Sequence, residues 1–203
     1  MTTLYLISNN CFSDDLIIYK EYVDEEKKKK NRPLTTEGEK EALNIVKKIG
    51  NIDSVFSSSY FSAIDSAKYV SEKNDLDLIV DTNFDDRKLG LLKDNSINLR
   101  NLQEHDFTYK LENGESLDDV KNRMRTSLKE ILNNREGENI AIYTHNIPIT
   151  ALLSIWCEKD YNIDEKLMLS YEENVIIDGL HSKSLVIRLD FDKDKLLKVK
   201  KVI

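Results

Sequence analysis

Histidine is scarce in this chain: His105, His145 and His181 are the only three, and none precedes residue 105. Cysteine is scarcer still, with Cys11 and Cys157 alone. Two cysteines make no disulfide framework and no paired CxxC zinc site, so a reducing compartment, the cytoplasm, is expected. Neither cysteine suits a cysteine phosphatase, because the sixth residue after each is isoleucine (Ile17, Ile163) rather than a phosphate-holding arginine. With six glycines and two prolines, the chain has no GxxxxGK[ST] loop, no GxGxxG after its first strand and no GxSxG elbow. HExxH is missing too, so no metal and no cofactor is expected. Positive charge is in deficit: 30 Lys and Arg against 37 Asp and Glu give a net charge of -7. That argues against nucleic acid and anionic membranes as partners. The longest strongly apolar segment, Ile147 to Cys157, is too short to span a bilayer, and the first residues lack the basic and apolar regions of a signal peptide.

What is present is ordinary for a globular protein: 40% hydrophobic and 33% charged residues. The 203 residues suffice for a sizeable core, and we expect one domain over 1–203. Strand and helix patterns alternate. Strands are predicted at Thr3–Ser8, Asp53–Ser57, Leu76–Val80 and Asn139–Thr144, with two final strands at Asn174–Asp178 and Ser184–Asp192 open to antiparallel pairing. The first helix follows Pro33, with Thr36 and Glu39 as a capping box and Ala42, Leu43, Ile45, Val46 and Ile49 as its apolar face. Further helices are expected over Tyr60–Lys73, with Phe61, Ile64, Ala67 and Val70 inward, and over Leu117–Asn134, capped by Ser116 with Asp119. A buried helix is expected at Ile147–Cys157. Residues 81–111 read as irregular with one or two short helices. Glu21–Arg32 (EYVDEEKKKKNR) reads as a solvated loop or helix end, with a lysine-rich flap facing a ligand as the sharper alternative. Alternation of this kind implies a three-layer α/β/α sandwich around a mostly parallel sheet.

In such folds, chemistry sits just past the C-terminal ends of the strands. The first strand ends in Ser8-Asn9-Asn10, which carry no group that titrates near neutrality. Asn139–Thr144 ends in His145, an imidazole at the same edge of the sheet. By itself His145 fits a structural histidine at a strand end as well as a catalytic one.

The order of the pieces resembles the histidine phosphatase superfamily, also called phosphoglycerate mutase-like. Members open with a strand reading roughly LYLIRHGET; here Leu4-Tyr5-Leu6-Ile7 runs into Ser8-Asn9-Asn10. The family's PLTxxG is matched by Pro33-Leu34-Thr35-Thr36-Glu37-Gly38. Its SSPLxRA resembles Ser57-Ser58-Ser59-Tyr60-Phe61-Ser62-Ala63. LxExxxG is echoed by residues 84–90, GES by Gly114-Glu115-Ser116 with Val120 and Arg123 beyond, and VVSHGG by Ile142-Tyr143-Thr144-His145-Asn146. Six pieces in the right order cover residues 3 to about 155.

The resemblance implies a histidine nucleophile that accepts a phosphoryl group, a clamp of two arginines and a late histidine on the phosphate oxygens, and an acid that protonates the leaving oxygen. Carried over by position, the nucleophile is Asn9, the adjacent arginine is Ser8, and the second arginine is Ser62. The acid falls on Asp86, or on Asp85 if the register slips by one, and His145 alone remains of the four phosphate-contacting groups. An amide nitrogen has a delocalised lone pair and forms no phospho-enzyme. Losing one buried charge contact costs about 2–5 kcal/mol, and losing a covalent nucleophile costs about a million-fold in turnover. We therefore expect a pseudoenzyme that acts as a binding or regulatory module, with Ser8, Asn9, Ser62 and His145 lining its cleft. The alternative is a hydrolase or phosphatase of altered mechanism, with His145 as base, Asp86 as acid and Ser8 or Cys11 as nucleophile. The expected partner is a small molecule or a protein, and the fold also admits a homodimer.

Overall fold

The computed structural model describes residues 1–8, 11, 25–91, 98–179 and 184–203. At its centre lies β1 (Thr2–Ser8), buried along its whole length. It pairs in parallel with β4 (Asn139–Tyr143) and antiparallel with β8 (Leu185–Asp192). The sheet continues to β2 (Ser54–Ser57) and β3 (Leu78–Val80) on one side and to β9 (Lys195–Lys201) on the other, in the order β3-β2-β4-β1-β8-β9. The run from β3 to β1 is parallel throughout, so the sheet is mostly parallel with an antiparallel flank.

Side chains alternate across a strand, and here both faces are apolar. Leu4, Leu6, Ile140 and Ile142 point to one face, where α5 (Leu117–Asn134) lays Val120, Met124, Leu128 and Ile131 against them, joined by α6 (Asn146–Leu153). Tyr5, Ile7, Ala141 and Tyr143 point to the other face, covered by Ile45, Val46 and Ile49 around α2 (Thr36–Lys48) and by Ala63, Ala67 and Val70 of α3 (Phe61–Asn74). Each fully buried leucine or isoleucine contributes about 1.5–3 kcal/mol, so the sandwich is held chiefly from its two faces.

Helix starts follow local chemistry. The Ser116–Asp119 capping box forms as expected, each side chain satisfying the other's backbone N–H. α2 departs from expectation: Thr35, in extended conformation, is the N-cap and accepts from Gly38 N at 3.1 Å, which puts a glycine where a box needs a reaching side chain. Two supposed inward residues face solvent, Leu43 at 48% and Phe61 at 49% exposure. The third strand is shorter than expected, and the helix after His145 ends at Leu153 instead of Cys157. Residues 81–111 hold a 3-10 turn at Thr82–Phe84 and a short helix, α4 (Leu99–His105).

Three strands were missing from the sequence reading. β5 (Glu158–Tyr161) and β6 (Leu167–Tyr171) join β7 (Asn174–Asp178) in a separate antiparallel sheet, and β9 returns along β8. The β6–β7 turn places Glu172 and Glu173 at φ 46° and 65°, as a two-residue hairpin turn requires. The charged stretch 21–32 contains α1 (Glu25–Lys30). No helix among the described residues is long and apolar enough to cross a membrane.

Candidate functional site

The C-terminal ends of β1, β2 and β4 converge. Thr144 N donates to Ile7 O at 2.8 Å, and Ser58 N donates to Tyr143 O at 2.8 Å, which sets the residues after all three strands side by side. Ser8 ends β1 fully buried. Asn9 lies outside the described residues. His145, extended at φ -131° and ψ 162°, is the N-cap residue of α6. Its Nε2 shares a 2.9 Å hydrogen bond with Ser58 Oγ, and the Tyr60 ring meets the imidazole edge-on at 4.6 Å. Ser62 is buried in the first turn of α3.

The acidic side of the cleft comes from the loop after the 3-10 turn. Asp81 caps that turn, and Thr144 Oγ1 donates to Phe84 O at 2.7 Å, tying the loop to β4. Arg123 on α5 holds it from below. Its guanidinium grips Glu115 with two nitrogens (2.8 and 3.2 Å) and donates to the carbonyls of Asn83 (2.6 Å) and Asp86 (3.2 Å). The result fixes two adjacent carboxylates. Asp85 accepts from Ser59 N and Ser59 Oγ at 2.7 Å, and Asp86 accepts from Arg87 N at 2.9 Å. Of the two, Asp86 is the stronger influence on the charge of His145.

Lys29 and Lys30 of α1 reach into this arrangement. Lys29 Nζ lies 2.5 Å from Asp86 Oδ2, and Lys30 Nζ lies 3.5 Å from Asp85 Oδ2 and 5.8 Å from the Tyr60 ring centre. The described part of the charged stretch thus forms α1 and turns two lysines to the cleft, closer to the flap alternative than to a solvated loop. Nothing in a run of four lysines singled these two out.

Electrostatics follow from burial and neighbours. Burial lowers the His145 pKa, and the Lys29 ammonium pushes the same way against Asp86, so the imidazole is neutral at pH 7. Burial works to raise Asp86, yet His145, the Lys29 ammonium and the Arg87 N–H together hold its carboxyl below the usual range. Asp86 is therefore an ionised, ion-paired carboxylate.

Of the residues expected from sequence, the structure brings His145 and Asp86 together. Among the described residues, the hydrogen-bond partner of His145 is Ser58, where sequence had offered Ser8 or Cys11. Ser58 was legible only as part of a serine run. Cys11 is held through its backbone: its carbonyl accepts from Thr35 N and Thr35 Oγ1 at 3.0 and 3.1 Å. No group of three or more His, Cys, Asp or Glu among the described residues could hold a metal ion.

Several solved structures share this architecture. A mycobacterial glucosyl-3-phosphoglycerate phosphatase superposes with a TM-score of 0.66 at 17% identity, over 92% of this chain and 89% of that one. YhfR of Bacillus stearothermophilus gives 0.65 at 18% identity, over 97% and 95%. A histidine-to-alanine variant of an Entamoeba histolytica phosphoserine phosphatase, in complex with phosphoserine, gives 0.66 at 15% identity, over 100% and 97%. No curated protein matches the sequence. The profile of the histidine phosphatase superfamily (branch 1) does match, from residue 23 to residue 189. That stretch takes in Ser58, Asp86 and His145, and with it the chain belongs to the histidine phosphatase superfamily.

Proposed function

We propose that this member of the superfamily no longer transfers phosphoryl groups and serves as a binding or regulatory module through the cleft around His145. The observation that carries the reading is the Lys29–Asp86 ion pair. A general acid must hold a proton to give one away, and a carboxylate kept ionised by an ammonium has none at neutral pH. Serine at 8 and 62 and asparagine at 9 support the same reading, since they offer neither the nucleophile nor the cationic clamp. The Entamoeba phosphatase variant holds phosphoserine although a histidine is replaced, so in that protein binding outlasts the substitution. To test the reading, purified protein is incubated with p-nitrophenyl phosphate, sugar phosphates and phosphopeptides. Phosphate release at background is expected; turnover that disappears in His145→Ala would defeat it.

One observation favours a second reading, a hydrolase of altered mechanism. The neutral imidazole of His145 lies 2.9 Å from the Ser58 hydroxyl, within reach for a general base to take its proton. An uncharged ester would suit such a pair. Hydrolysis of p-nitrophenyl acetate lost in both Ser58→Ala and His145→Ala would establish it; equal rates in all three proteins would remove it.

A further inference from the structure

The cleft carries the opposite charge character from a phosphate site. Among the described residues, and leaving α1 aside, the charged groups next to His145 are the carboxylates of Asp85 and Asp86, beside the face of Tyr60. Arg123, the cation beneath, is already engaged by Glu115 and by two backbone carbonyls. A phosphate entering here would face two carboxylates.

The groups that do sit here are ammonium ions. Lys29 Nζ is 2.5 Å from Asp86, and Lys30 Nζ is 3.5 Å from Asp85 while lying 5.8 Å from the centre of the Tyr60 ring. Paired carboxylates with an aromatic face are the groups that recognise an alkylammonium. Both occupants come from α1, a helix of six residues. A helix that short is not stable by itself and depends on the contacts that dock it. Its lysines are 38% and 42% exposed, whereas Asp86 is nearly buried, so the ammonium ends enter a site that the body of the protein supplies.

Building on the reading that phosphoryl transfer is lost, we propose that the cleft is an ammonium site, which takes a ligand bearing two neighbouring primary ammonium groups and which Lys29 and Lys30 fill in cis. An occupant on the same chain competes at high effective concentration, so the site is masked in the intact protein. A free diamine and a Lys-Lys segment of a peptide present the same chemistry, and the test separates them.

The full chain is titrated calorimetrically, at low salt, with 1,4-diaminobutane and with N-acetyl-Lys-Lys-amide. The wild type is compared with Lys29→Ala/Lys30→Ala, and with that variant carrying Asp85→Asn, which keeps an acceptor oxygen for Ser59. Removing the two lysines should tighten binding by about tenfold or more, as expected when an internal competitor is removed, and Asp85→Asn should abolish the gain. Thermal denaturation of each variant confirms that it is folded. Recovery of the double variant's melting temperature by the diamine supplies a second readout. Tighter binding of the diamine identifies a free amine as ligand, and tighter binding of the dipeptide identifies a peptide. The proposal is overturned if neither probe binds the double lysine variant more tightly than wild type, or if the gain survives Asp85→Asn. Phosphatase turnover by the wild type would overturn the pseudoenzyme reading without altering these titrations, so the two failures are distinguishable.

Discussion

Arg123→Ala is the sharpest test of how the cleft is held. The guanidinium makes a two-nitrogen contact with Glu115 at 2.8 and 3.2 Å and bonds to the carbonyls of Asn83 and Asp86 at 2.6 and 3.2 Å. The Arg123 and Glu115 side chains are 17% and 19% exposed, so the pair lies between the ~0–1 kcal/mol of a surface ion pair and the ~3–5 kcal/mol of breaking a buried one. We take ~1 kcal/mol for it. Each carbonyl that loses a charged donor adds about 1 kcal/mol, for about 3 kcal/mol together. In a domain of this size each kcal/mol moves the melting temperature by about 2–4 °C, so scanning calorimetry should find a drop of about 6–12 °C. Arg123→Lys should lose most of the same stability, because an ammonium keeps the charge but not the planar fork. A drop below about 2 °C in Arg123→Ala, or a lysine variant as stable as wild type, would refute the account.

Three further outcomes are expected. His145 and Asp86 both sit below their ordinary pKa, so the unfolded chain binds more protons just under its own values of about 6.5 and 3.9; stability should be full above about pH 6.5, fall as His145 is forced to charge, and fall again below about pH 3.9. His145→Gln should flatten the upper step in a plot of melting temperature against pH. Asn9→His by itself should release no phosphate above background in a colorimetric assay, because Ser8 and Ser62 still leave the clamp without its arginines. Gly90→Ala should destabilise by about 2 kcal/mol or more in urea denaturation, since Gly90 has φ +84° and an added Cβ would lie 2.7 Å from Glu112 O and Gly114 N.

The elements that sequence revealed are those whose own residues specify them. β1 and β4 are continuous apolar runs, as strands buried on both faces must be, and Ser116 with Asp119 announces α5 before it starts. Of the small antiparallel sheet only β7 was legible; its partner β6 was hidden because the hairpin turn is Glu172-Glu173, where asparagine or glycine would have signalled positive φ. β9 follows Lys193, also at positive φ, and its lysine-rich sequence read as solvated surface. In the cleft, His145 and Asp86 were legible from their places in an ordered set of motifs. Lys29 was legible only as one lysine of a stretch open to a flap reading, because which lysine meets Asp86 depends on where a six-residue helix docks.

The pairing of β1 has a consequence for how the molecule comes into being. Thr3 stands opposite Asn139 on one side and Asp190 on the other, so the central strand takes its first neighbour from β4 and its second from the still later β8. At a synthesis rate of about 5–20 residues per second, the ~136 residues between Thr3 and Asn139 take roughly 7–27 s. Through that interval β1, the strand that ends in Ser8 and is buried along its whole length in the fold, has no strand beside it. The cleft inherits the same delay, because His145 follows β4 and is made only after it.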